Sequence, residues 1–228
     1  MNILENKEKI LDKIQDACTK KNRSSKGVNL VAVTKYVSNE TTKNAVLAGV
    51  EHIGENRIEG LLEKKEYLKE MNENVKWHFI GTLQSRKVKD IINQVDYIHS
   101  LDRLSLAKEI QKRADKTISC FVQVNVAEED SKHGLAVKEV ISFVDKLKDY
   151  DKIKVVGLMT MAPFTEDESV VRNVFSTLKQ LQIDIQRKDF PHAPCEELSM
   201  GMSNDYVIAV EEGATFVRIG TDLVGKEF

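Results

Sequence analysis

No apolar run in this sequence approaches the roughly 20 residues that a membrane span requires, and the opening stretch MNILENKEKILDKI lacks the continuous apolar core of a signal peptide. The expectation is a cytoplasmic protein with no membrane partner. An excess of charge is missing too. With a formal net charge of −2, the chain as a whole does not attract nucleic acid or anionic lipid, so any anion must be held locally. Cysteine is sparse: Cys18, Cys120 and Cys195 cannot all pair within the chain and show no CxxC spacing. That argues against a disulfide framework or a zinc finger and for reduced thiols. His192 stands three residues before Cys195, but two potential ligands fall short of the four that a structural zinc takes. No Pro-, Gly- or Ser-rich linker divides the 228 residues, and one α/β barrel fills such a length, so 1–228 is read as a single domain.

What is present is a repeating pattern. Ile3, Ile10, Ile14 and Ala17 recur at helical spacing among charges, which predicts an amphipathic helix over residues 1–22 laid on the body. From Val28 onward, short runs rich in β-branched and aromatic residues alternate with longer amphipathic stretches. The runs are NLVAVTK (29–35), EHIGEN (51–56), KWHFIG (76–81), DYIHS (96–100), SCFVQVNV (119–126), KVVGLMTM (154–161), EELSMG (196–201) and TFVRIG (215–220). Helices are expected between them, among them NETTKNAVLAGV capped by Asn39, DRLSLAKEIQKRA opened by Asp102, and VKEVISFVDKLKDY. Strand–helix alternation repeated eight times predicts an α/β fold, a single (β/α)8 TIM barrel with an additional N-terminal helix. The shortest runs, DYIHS and EELSMG, matter most, since losing either leaves an open doubly wound sheet.

Polar residues collect at the ends of these runs. Lys35, Asn56, His78, Ser100, Asn125, Thr160, Ser199 and Arg218 fall within or close to the C-terminal parts of successive strands, the face on which barrel active sites are built. In LSMGMSND, Ser199, Gly201 and Ser203 form a small-residue loop before the expected helix NDYVIAVEEG, so N–H groups and hydroxyls can converge on an anion near the helix's positive end. Arg218, Gly220 and Thr221 supply a second wall, and the loops after the seventh and eighth strands are the usual phosphate position in this architecture. Arg218 alternates with Val217 and Ile219, which turns it away from their side; inward over the strand ends and paired with a core carboxylate are both open. A lysine at the first strand end, a phosphate cradle and an inward arginine suit a ligand with both an aldehyde and a phosphate. Pyridoxal 5'-phosphate (PLP) fits.

The segments AVTKYVS, IGENRIE, WHFIGTLQSRK, VQVNVAEEDSKHG, VGLMTM, LSMGMSND and VRIGTDLVG, in that order over nearly the whole chain, resemble the pyridoxal phosphate homeostasis proteins, which are similar to the barrel domain of alanine racemase. The resemblance implies an aldimine on Lys35, the phosphate held by Ser199, Gly220, Thr221 and neighbouring backbone groups including Gly201, and Arg218 facing the pyridine nitrogen. Asn56, His78 and Met200 would line the pocket. The chain departs from the family pattern at His133, within Lys132–Gly134, and at Leu223–Val224.

Three functions remain open at this stage. The first is a PLP carrier that serves intracellular PLP homeostasis and hands the cofactor to PLP-dependent apo-enzymes without turnover. The second is a slow PLP-dependent amino-acid racemase or related lyase, and the third a Schiff-base aldolase with no cofactor. An arginine at the pyridine nitrogen disfavours transamination, because only a carboxylate keeps that nitrogen protonated and the ring a strong electron sink, although the resemblance implies that racemases of the related barrel manage with arginine. The resemblance also implies that racemases draw a catalytic tyrosine from a second domain, for which a chain ending at Phe228 has no room; Tyr36 and His78 are the available substitutes. A monomer is expected. The basic stretch QSRKVK (84–89) is read as the solvated start of a helix rather than a docking patch, and LEKKEYLKE (62–70) as an exposed helical face.

Overall fold

All eight apolar runs form strands, and the strands close. The computed structural model describes residues 2–71, 75–128 and 133–228; of the departures noted above, Lys132 lies outside them. The strands are β1 (Asn29–Val33), β2 (His52–Glu55), β3 (Lys76–Phe79), β4 (Tyr97–Leu101), β5 (Ile118–Gln123), β6 (Ile153–Met159), β7 (Glu197–Ser199) and β8 (Phe216–Ile219). Each pairs in parallel with the next, and β8 returns to β1 through Asn29↔Phe216 to Ala32↔Ile219, giving a closed barrel in sequence order. The two short runs hold: β4 lies between β3 and β5, and β7 between β6 and β8, the latter joined through Ser199↔Phe216.

Helices α1 (Ile3–Lys20), α2 (Asn39–Leu47), α3 (Ile58–Tyr67), α4 (Val88–Ile91), α5 (Leu104–Arg113), α6 (Val137–Lys146), α7 (Glu168–Gln186), α8 (Tyr206–Glu211) and α9 (Thr221–Val224) lie in and before the crossovers. In α1, Ile3, Ile10, Ile14 and Ala17 are buried as their spacing requires. Two caps differ from expectation. Ser38, not Asn39, caps α2, its Oγ accepting from the Thr41 N–H at 3.2 Å. Helix α5 opens two residues after Asp102, whose carboxylate pairs instead with Arg103 at 2.7 Å. In QSRKVK, Val88 starts α4 and is buried, so the stretch is a helix start as read.

The apolar interior divides in two. The larger core lies between the strands and the helices; a smaller one, Val31, Phe121, Met159 and Phe216, fills the barrel lumen. The inward positions of β2, β3 and β4 place His52, His78, Tyr97 and His99 around that lumen core, where their rings contact Phe121 and Phe216. Barrel interiors are usually layered with branched aliphatic side chains, so three imidazoles here require a polar explanation.

Close strand packing can be tested at Gly157. A Cβ there would sit 1.9 Å from the Glu197 carbonyl oxygen on β7. Gly157→Ala should force β6 and β7 apart and lower stability by about 2 kcal/mol or more, read as a lower urea midpoint.

Candidate functional site

The β1–α2 turn carries Lys35. Thr34 N–H donates to the Gly54 carbonyl and Val37 N–H to the Thr34 carbonyl, both at 3.1 Å, which sets the turn where the strand leaves the barrel. A buried ion pair braces it from behind. Lys64 Nζ lies 2.6 Å from Glu55 Oε1 and donates to the Thr34 carbonyl at 2.5 Å, while Thr34 Oγ1 donates to Glu55 at 2.6 Å. Lys64, within the stretch expected to form an exposed face, is therefore turned inward, drawn there by the one carboxylate buried at the end of β2. Lys35 itself is half-buried, with Nζ 4.8 Å from the centre of the Tyr36 ring and no ion pair among the described residues.

Lys35 faces a cavity of about 480 Å³ at the C-terminal mouth of the barrel. Asn56, Arg218, Gly220 and Thr221, all expected at the site, share its lining. Ser203 and Asn204, from the turn after β7, form the wall next to Thr221, whose Oγ1 lies 3.4 Å from Ser203 Oγ. Gly201 begins that turn at φ +93°, and a Cβ on it would meet Ala209 Cβ at 2.6 Å, so only glycine lets the chain fold back here. The N–H groups of Ser203 and Asn204 find no protein acceptor among the described residues. Helix α8 is shorter than NDYVIAVEEG, starting at Tyr206 and spanning six residues, so the turn's N–H groups and hydroxyls, and not a helix end, border the cavity here.

Arg218 forms the floor. It is 5% exposed, donating through Nη1 to Ser199 Oγ at 2.5 Å and through Nη2 to the Thr160 carbonyl at 3.2 Å. The inward orientation is thus observed and the carboxylate pairing is not: among the described residues no carboxylate lies within ion-pair distance. Burial lowers its pKa from the ordinary arginine value to about 10, with Asp205 opposing the shift from a distance.

Four expected residues lie elsewhere. Ser199 is fully buried below the cavity, committed to Arg218 and to His99 Nδ1 at 2.9 Å. Met200 is likewise buried in the core, and Gly201 shapes the turn without lining the cavity. His78 does not line the pocket: its Nε2 lies 2.8 Å from His52 Nδ1, its Nδ1 lies 2.8 Å from His99 Nε2, and its ring stacks on Tyr97 at 4.3 Å. Strand alternation explains it, since an inward residue in the middle of a strand reaches the lumen rather than the mouth. Burial holds His78 and His99 well below the ordinary imidazole pKa, reinforced at His99 by the Arg218 charge. Ile80, Thr82, Met159 and Met161 line the cavity without having been singled out; as apolar or loop residues they carried no chemical signal. Cys18, Cys120 and Cys195 are free and buried. His192 Nε2 bonds the Val144 carbonyl at 2.8 Å, and no metal-ligand cluster occurs among the described residues. Nor, among them, is any helix long and apolar enough to cross a membrane.

The family described as alanine racemase, N-terminal domain, matches the chain over residues 11–227. The alanine racemase of Corynebacterium glutamicum shares the fold, with a TM-score of 0.74 at 12% identity, this chain covering 61% of that one. PipY of Synechococcus elongatus PCC7942, solved with PLP bound, is 28% identical with a TM-score of 0.81, over 93% of this chain and 100% of that one. The pyridoxal phosphate homeostasis protein of Aquifex aeolicus is 40% identical over 99% of both chains, and that of Haemophilus influenzae 33% over 99% and 96%. The chain belongs to the pyridoxal phosphate homeostasis protein family.

Two outcomes are expected from this geometry. Lys64→Met leaves Glu55 charged and unpaired in the core, costing about 3–5 kcal/mol in urea unfolding, whereas Glu55→Leu with Lys64→Met recovers much of it. His78 and His99 are neutral when folded and gain protons on unfolding. Their contribution is therefore complete above the unfolded imidazole pKa of about 6.5 and is lost as pH falls below it, by up to about 1.4 kcal/mol per pH unit for each. Urea midpoints should drop accordingly toward about pH 5, and less steeply in His99→Asn.

Proposed function

We propose that the protein binds PLP in the cavity at the barrel mouth, bonded covalently through Lys35 Nζ, and that it holds and passes on the cofactor without robust turnover. The observation that carries this reading is the presence, on one cavity, of a lysine and a buried arginine that have no carboxylate partner among the described residues. A buried guanidinium needs acceptors. Arg218 has two from the protein, so its remaining donors suit a neutral, unprotonated ring nitrogen. The hydroxyls of Ser203 and Thr221, the N–H groups of Ser203 and Asn204 and the side-chain-free approach at Gly220 suit a phosphate, and Asn56 stands beside Lys35. The residues therefore fit the cofactor with which the PipY relative was solved.

When bound, PLP supplies an electrophilic aldehyde and a conjugated ring able to delocalise electrons. The chain's own groups limit the use of that capacity. Arg218 cannot protonate the ring nitrogen as a carboxylic acid would, and His78 has both nitrogens committed in the lumen, so it moves no proton at the mouth. The remaining phenol is Tyr36, exposed and beside Lys35; it is the one feature that favours the second reading, a slow amino-acid racemase. Half-exposure of Lys35 leaves its bond accessible to an incoming amine, which suits delivery to PLP-dependent apo-enzymes in the cytoplasm.

The protein mixed with PLP should show a visible absorption band that Lys35→Ala abolishes, and borohydride reduction followed by peptide mapping should place the adduct on Lys35. A band that survives Lys35→Ala, or an adduct elsewhere, refutes the assignment. L-alanine incubated with the loaded protein should keep its optical rotation; a loss that Tyr36→Phe suppresses would establish the racemase instead.

A further inference from the structure

The three lumen histidines are not separate core residues. His52 Nδ1 to His78 Nε2 (2.8 Å), His78 Nδ1 to His99 Nε2 (2.8 Å), His99 Nδ1 to Ser199 Oγ (2.9 Å) and Ser199 Oγ to Arg218 Nη1 (2.5 Å) form one unbroken chain. It runs from the half-buried start of β2, at the N-terminal end of the barrel, to the cavity floor at the other. The cofactor reading does not use it.

The direction of this chain is fixed at one end. Arginine can only donate, so Arg218 occupies a lone pair of Ser199 Oγ, whose hydroxyl hydrogen then needs an acceptor. Ser199 is fully buried, and among the described residues the acceptor available is His99 Nδ1. A neutral His99 that accepts at Nδ1 carries its proton on Nε2 and donates to His78 Nδ1. The same reasoning puts the His78 proton on Nε2, donated to His52 Nδ1, and leaves the His52 Nε2–H at the barrel's lower end. Reversing the order would leave the Ser199 hydrogen buried without a partner, at a cost comparable to a lost hydrogen bond.

We propose that Ser199, His99, His78 and His52 are positioning residues for Arg218: a hydrogen-bond chain of fixed direction, each imidazole protonated on Nε2, that turns a Ser199 lone pair to the guanidinium and so presents its remaining donors to the cavity. A carboxylate at the same place would hold Arg218 as firmly but would neutralise it. The chain holds it through neutral groups and leaves its charge available to a ligand. The proposal rests on the cofactor reading for what Arg218 faces, but not for the chain itself.

The test uses unloaded protein labelled with 15N-histidine, in which two-bond 1H–15N spectra report the protonated nitrogen of each ring. At neutral pH all three histidines should be Nε2–H. Ser199→Ala, with folding checked by circular dichroism, should release His99 into a mixture of tautomers and raise the PLP dissociation constant roughly tenfold. His99 found protonated on Nδ1 in the wild type overturns the proposal whatever the cofactor does, as does a Ser199→Ala spectrum identical to wild type. Spectra as expected in a protein that fails to bind PLP would uphold the chain and reject the cofactor reading.

Discussion

A guanidinium buried without a carboxylate is among the costlier arrangements a protein can hold, and among the described residues the mouth of this barrel is organised around one. Arg218 is kept in place by a serine hydroxyl and a backbone carbonyl, each a partial charge. The electrostatic deficit is left to be met from the cavity, whose lining Arg218 shares with Lys35. Placing the arginine on β8 and the lysine after β1 makes them neighbours by barrel closure, since β1 and β8 pair directly. Without closure the two residues would sit on opposite edges of an open sheet.

The lysine is fixed by a different device. Its side chain is long and rotamer-rich, so the reach of Nζ depends on the backbone from which it springs. That backbone is clamped at Thr34, whose carbonyl and hydroxyl are both engaged by the Glu55–Lys64 pair. A buried ion pair is weak evidence for stability on its own; here its geometry joins β2 and α3 to the turn that carries Lys35. The two charged centres of the site thus have rigid supports on separate elements, which is the arrangement that holds a site to a narrow geometry.

The fold was legible because the strands are short, apolar and separated by amphipathic stretches, and a parallel barrel covered by helices writes itself as that pattern. The site was legible where chemistry and strand end coincided, at Lys35, Asn56, Arg218, Gly220 and Thr221. It was obscured where one residue of register decides between mouth and lumen. His78 and Ser199 look like strand-end polar groups in sequence, yet they point into the barrel one layer down. Lys64 was hidden for a related reason: in a helix dense with Glu and Lys, nothing local distinguishes the one lysine whose carboxylate partner lies nine residues earlier on a strand. The cap at Ser38 rather than Asn39 is a shift of one position between two competent capping residues.

Why the lumen should be polar beneath a binding site follows from what an apolar lumen would do. Aliphatic layers up to the mouth would leave Arg218 with the Thr160 carbonyl alone, and most of the buried guanidinium's demand for acceptors unmet. Asp205, on the turn after β7, opposes the effect of that burial only from a distance. A neutral acceptor directly under the arginine meets part of that demand, but a serine hydroxyl in a dry core must itself be satisfied, as must each group behind it. The sequence of imidazoles is the consequence: each satisfies the group above and transfers the requirement one step down, until His52 reaches the partly exposed end of the barrel.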